Sequence, residues 1–75
     1  MPWQDLITVD PAVRSGKPCL KGTRITVFDV LKYLAGGMDE ATIIADFPVL
    51  TREHILATIA YAAARERRLH ALPAA

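Results

Sequence analysis

Two breaks constrain the second half of this chain more than any other feature. Gly36-Gly37 and Pro48 interrupt an otherwise apolar stretch, and a polar residue fit to start a helix follows each one closely. A glycine pair stops a helix because the position past its last turn takes a left-handed conformation. Proline stops one because the residue before it is pushed out of the α region. The spacing predicts three helices, at about residues 26–35, 39–47 and 51–69. Thr26 opens the first. Thr26-x-x-Asp29 before an apolar run has the form of a capping box, with Asp in place of the usual Glu. Val27, Val30, Leu31 and Leu34 then fall at i, i+3, i+4 and i+7, on one face. Asp39 is placed to cap the second helix, with Glu40 in the first turn, where the helix dipole favours an anion. Ile43, Ile44 and Phe47 form its apolar face. Thr51 is placed to cap the third, which is long and rich in alanine. Pro73 and the last alanines read as a frayed end.

The N-terminal part carries β signals. Leu6, Ile7, Thr8 and Val9 partly alternate, and Pro18, Cys19 and Leu20 form a second extended piece. Turn residues separate them: Asp10-Pro11, then Ser15-Gly16. The expectation is a hairpin over about residues 5–22, with strands at 5–9 and 18–20. Two strands are marginal alone, so they should lie on the helices or pair with another chain. The whole, residues 1–75, reads as a single domain that is mainly α.

Cys19 is the only cysteine, so no disulfide can form within the chain. One Cys with the distant His54 and His70 lacks the spacing of a zinc site. Small domains without such staples commonly associate, and 52% apolar residues leave surface for a partner. The stretch ATIAYAAAR suits close helix approach, and Trp3, Ile59, Tyr61 and Ala63 are the expected oligomer interface. No secretory leader or membrane-length apolar run is read, and a free thiol fits a reducing cytoplasm.

Net charge is only +1, but its distribution is uneven. Arg14, Lys17, Lys21 and Arg24 lie in an acid-free stretch, an acidic middle follows, and Arg65, Arg67 and Arg68 close the charged part. GKPCLKGTRITV, residues 16–27, is not a phosphate-cradling P-loop: its glycines are one residue too far apart and Thr23 follows the second. Gly16 and Gly22 are read as backbone-shaping residues and Thr26 as a cap. Arg24 is read as a guanidinium that ties the hairpin to a carboxylate or to carbonyls. Cys19 is read as a small buried hydrophobe. No nucleophile elbow, paired carboxylates or His–Glu dyad is evident, so no enzyme, metal or cofactor is expected.

The second and third helices with the Pro48–Thr51 turn also fit a helix-turn-helix. Arg52 and His54 would then meet base edges, with Arg14, Lys17 and Lys21 on phosphates. Asp39, Glu40, Asp46 and Glu53 oppose that reading, because a DNA-facing surface should attract phosphate. DNA contact and a plain trihelical core both remain open on the residues alone.

The runs ITVDPAVRSGKPCLKGTRITV, LKYLAGG and DEATIIADFPVLTREHILATIAYAA, in this order, carry a family resemblance. They resemble the small bacterial family of domain of unknown function number four hundred and thirty-three, over about four-fifths of the chain. His54 and Thr42 stand where that pattern often has an acid. The resemblance implies a homeodomain-like three-helix helix-turn-helix with an N-terminal hairpin, often dimeric. It also implies an antitoxin paired with a PIN-like ribonuclease toxin, which often binds its own promoter. Arg65, Arg67 and Arg68 are the expected toxin-facing cations. The alternative, from a different class, is a structural or oligomerisation module that touches neither DNA nor toxin.

Overall fold

Helix α1, Val27–Ala35, starts where its cap is encoded. Thr26 Oγ1 accepts from the Asp29 amide at 2.9 Å, and Asp29 Oδ2 accepts from the Thr26 amide at 3.3 Å. Two otherwise orphaned helix-start donors are satisfied reciprocally. At the other end the Gly37 amide donates to the Leu34 carbonyl at 3.1 Å, and the Met38 amide to the Tyr33 carbonyl at 3.0 Å. This is a Schellman stop, and it requires the left-handed φ of +96° at Gly37. Met38 then folds back onto the core.

The computed structural model describes residues 2–69. Helix α2, Glu40–Asp46, begins with the Asp39 carboxylate accepting from the Thr42 amide at 2.8 Å. Phe47 leaves the helix, and the Leu50 amide closes a turn on the Phe47 carbonyl at 2.8 Å, with Pro48 inside it. Leu50 plugs the core from this turn. Helix α3, Arg52–Leu69, follows. The fold is therefore three helices in helix-turn-helix order, preceded by a short antiparallel hairpin. Leu20, Val27, Val30, Ile43, Leu50 and Ile55 form the buried core, drawn from the hairpin, the three helices and the turn before α3. Tyr33 stacks on Phe47 with centroids 5.2 Å apart, locking α1 against the end of α2.

The N-terminal region differs from the sequence expectation. Strand β1 is Ile7–Thr8 and strand β2 is Cys19–Leu20, with Ile7 opposite Leu20 and Thr8 opposite Cys19. Residues 5 and 6 are not strand: Trp3–Leu6 winds into a 3-10 turn that packs chiefly on α3. The indole needs apolar cover, and turning the chain towards α3 supplies it at the expense of ladder length. β2 gains its remaining partners on the other side. The Leu20 amide donates to the Ile25 carbonyl at 2.9 Å, and the Val27 amide to the Pro18 carbonyl at 2.9 Å. GKPCLKGTRITV is thus a tight β turn folded onto the start of α1. Gly22 takes a φ of +80° at its tip, and the Thr23 amide closes it on the Leu20 carbonyl at 3.0 Å. Cys19 is buried, and its thiol donates to the Lys17 carbonyl at 3.3 Å. None of the described helices is long and apolar enough to cross a membrane.

A methyl group at Gly37 meets nothing within 4 Å, so replacing it tests the backbone alone. Gly37→Ala should cost about 1 kcal/mol, a Tm drop of roughly 4–8 °C in a domain of this size by thermal unfolding, with the far-UV spectrum unchanged.

Candidate functional site

The charged residues sort into two groups once their partners are known. Arg14 belongs to the framework. It lies in a left-handed run, with φ of 50° at Arg14, 58° at Ser15 and 79° at Gly16. Two of these residues are not glycine, which is a costly backbone for L residues. The run aims the Arg14 guanidinium at α1, where Nη1 donates to the Arg24 carbonyl at 3.0 Å and to Asp29 Oδ2 at 3.3 Å. The tie assigned to Arg24 from the sequence is therefore made by Arg14. Arg24 contributes its carbonyl, and its own side chain points to solvent. The reason is tertiary: the fold sets the Arg14 loop, ten residues away in sequence, against the Arg24 carbonyl and the start of α1. Burial pushes the Asp29 carboxyl up, but the hydrogen bonds from Thr26 and the Arg14 charge outweigh it and hold the group below the ordinary carboxylate range.

The start of α3 is likewise committed. Arg52 Nε pairs with Glu40 Oε1 at 3.2 Å, joining α2 to α3. His54 Nδ1 accepts from the Thr51 amide at 3.0 Å, while Thr51 Oγ1 accepts from the His54 amide at 3.3 Å. His54 thus takes the third position of a capping box, where Glu or Gln is usual. The cations expected on nucleic acid do not form one patch. Arg14 and Arg52 are paired, His54 is a cap, and Lys21 is exposed at the hairpin turn. Lys17 lies beside Arg65, thirteen residues beyond Arg52 and so roughly 20 Å further along α3. On the outer side of α3, Leu56 and Ile59 are 48% and 47% exposed. Ala63 continues that stripe at helical spacing and is exposed too.

Half of the expected oligomer interface is used inside the protomer. Trp3 meets Tyr61 edge-on, with centroids 6.1 Å apart, and borders clefts lined by Ala57, Ala60 and Ala64. The small residues of α3 admit the indole of the same chain, so Trp3 and Tyr61 pack on each other within the protomer. Ile59 and Ala63 stay outward. Arg65 lies over the Tyr61 ring at 5.8 Å, and its Nη1 donates to the Tyr61 hydroxyl at 3.4 Å. Arg67 is exposed; the Arg68 side chain lies outside the described residues.

A groove of about 550 Å³ lies between the hairpin, the start of α1 and α3. Lys17 and Arg65 rim it, Phe28, Leu31 and Tyr61 line it, and none of the described lining residues is a carboxylate. Phe28 is 65% exposed, with Lys32 Nζ 5.6 Å from its ring centroid. Neither Phe28 nor Lys32 was singled out from the sequence. The available signal was that Phe28 falls off the Val27, Val30, Leu31 and Leu34 face yet is large and apolar. Among the described residues no His, Cys, Asp and Glu cluster could hold a metal ion.

A family model described as "Protein of unknown function (DUF433)" matches residues 7–62. The chain belongs to this family. The DUF433 match holds the hairpin, α1, α2 and α3 as far as Ala62, so Lys17, Phe28 and Tyr61 lie within it and Arg65 and Arg67 beyond it. The fold is similar to the crystal structure of a DUF433 member protein from Anabaena variabilis ATCC 29413, with a TM-score of 0.78 and 27% identity. The likeness covers 88% of this chain and 65% of that one, slightly less than two thirds of the neighbour's length. No curated protein matches.

Two measurements check the framework. Arg14→Ala should lower the urea midpoint by an amount equivalent to about 1 kcal/mol, whereas Arg24→Ala should stay within about 0.5 kcal/mol of the parent. Asp29 should contribute stability that is fully present above the ordinary Asp value of about 4 and is lost as pH falls through its lowered folded-state value. Asp39 is also lowered, by its bonds from Thr42, and acts in the same direction. Urea titrations should show part of the acid limb flattened in Asp29→Asn, and more in the double variant with Asp39→Asn.

Proposed function

We propose that this chain is an antitoxin-like binding module: a dimeric helix-turn-helix protein of the cytoplasm that neutralises a PIN-like ribonuclease and performs no chemistry itself. The observation that supports this reading is the basic end of α3. The buried residues of α3, Ile55, Ala57 and Thr58, lie in its first half. From Ala62 to Arg67 no residue is buried, so the helix outruns the core and carries Arg65 and Arg67 into solvent, with Lys17 alongside. Such an arm suits the carboxylate-rich centre of a metal-dependent nuclease. Complementary charge would set both encounter rate and orientation. The outward Leu56, Ile59 and Ala63 stripe supplies a seam for a second copy.

A promoter-binding role draws less support. The outer face of α3 is apolar and acidic where a recognition helix needs donors, and Arg52 already has Glu40. The structural-module reading draws on the same acidic zone of Asp39, Glu40, Asp46 and Glu53.

Co-expression with the adjacent gene product tests the proposal. A stable complex that suppresses that product's ribonuclease activity is the expected result. Arg65→Glu with Arg67→Glu should weaken it roughly a hundredfold, an effect that fades as salt rises. Ile59→Glu should shift the free protein from dimer to monomer in sedimentation velocity. A neighbour that neither binds nor harms cells would leave the structural module as the better account.

A further inference from the structure

The groove beside α3 has a chemistry more specific than a basic arm. Its floor is apolar, from Phe28, Leu31 and Tyr61, and its rims are cationic, from Lys17 and Arg65. Lys32, over the Phe28 ring, adds a third cation at its edge. The described ion pairs, Arg14–Asp29 and Arg52–Glu40, involve none of these three. Arg65 is held in place by the Tyr61 ring and hydroxyl, so little side-chain freedom remains to be lost on binding. Phe28 is 65% exposed on the first turn of a helix whose Val27 and Val30 are buried, so among the described residues it is a large apolar side chain left mostly open to solvent.

We infer that this groove is the docking site for an acidic peptide segment of a partner protein, with a large apolar anchor side chain between carboxylates. The anchor lies on Phe28, Leu31 and Tyr61. Carboxylates on either side of it reach Lys17 and Lys32 towards the hairpin and α1, and Arg65 on α3. Charge complementarity selects this occupant. A basic or uncharged segment would leave three cations beside a desolvated floor with no counter-charge, which is unfavourable. A second copy of the chain fits poorly, because its own exposed apolar stripe of Leu56, Ile59 and Ala63 is flanked by Arg52 and Arg67 as well as by Glu53 and Glu66, and so offers the three cations no net negative charge. The inference rests on the partner-binding reading above and adds the kind of segment that is gripped.

The test uses the full chain and a fluorescein-labelled short peptide with a Leu-Trp anchor between runs of glutamate, followed by anisotropy and by amide chemical shifts. Expected are saturable binding, shifts centred on Phe28, Leu31 and Tyr61, and weakening as salt rises. A peptide with glutamine for every glutamate should bind at least roughly tenfold more weakly. Phe28→Ala and Lys17→Glu, both at exposed sites, should each lose roughly tenfold or more. Val49→Ser, exposed in the turn before α3 and away from both groove and seam, should change nothing. Unchanged affinity in Phe28→Ala, or shifts centred on Leu56 and Ile59, would overturn the inference. So would groove shifts that grow with protein concentration without peptide, since they would mark a second copy as the occupant. The two proposals fail separately. A nuclease complex that survives Phe28→Ala but not Arg65→Glu with Arg67→Glu removes the groove and keeps the antitoxin reading. Peptide binding in the groove without a toxic neighbour does the reverse.

Discussion

Asp29 is the residue on which the rest of the structure hangs. One carboxylate closes the capping box of α1 with Thr26 and receives the guanidinium of Arg14 from the hairpin loop. Helix start and hairpin are thereby fixed to each other at a single atom, Oδ2. The exposed Arg14–Asp29 pair is worth little by itself. Its weight comes from what it organises. It offsets a left-handed backbone at Arg14 and Ser15, and it holds the hairpin so that β2 lies against the start of α1. Leu20, from β2, can then join Val27 and Val30 in a core too small to tolerate a gap.

The same arrangement determines which charges are left for a partner. Arg14 and Arg52 are committed to carboxylates, and His54 to a cap. Both ion pairs lie where the chain must be joined, hairpin to α1 and α2 to α3. Lys21 and Arg24 stay outward at the hairpin turn, and Lys17, Lys32, Arg65 and Arg67 stay outward around the groove and the far end of α3. The Arg52–Glu40 pair and the groove thus lie towards opposite ends of α3, while the Arg14–Asp29 pair stands next to the groove at the start of α1. The DUF433 match ends at Ala62, so the groove floor belongs to the matched span while the basic arm extends beyond it.

Much of the fold was legible in the sequence, and the reason is range. Thr26, Asp39 and Thr51 act on amides three residues away, and Gly37 acts within one turn of its own helix. Such signals are complete within a short window, so three helices could be placed close to their observed bounds. The strands were harder. A 3-10 turn replaced the first part of β1 because Trp3 finds cover on α3, far along the chain. The site was less legible still. Arg14 and Arg24 are the same residue type in one loop, and only the fold tells the tether from the solvated one.

By itself the sequence determined the class of fold, the helix boundaries, the lone buried thiol and the uneven distribution of charge. Each follows from residue type and local spacing, which short-range sterics and hydrogen bonds convert directly into structure. Only the tertiary structure decided which guanidinium joins hairpin to helix, which aromatic residues cover each other, and which cations surround an apolar floor. Those outcomes depend on distant residues meeting, as Arg14 meets Asp29 and Trp3 meets Tyr61, or lining one groove, as Lys17 and Arg65 do. Periodicity assigns a side chain to a face of its own element, but it does not say which other element that face will meet.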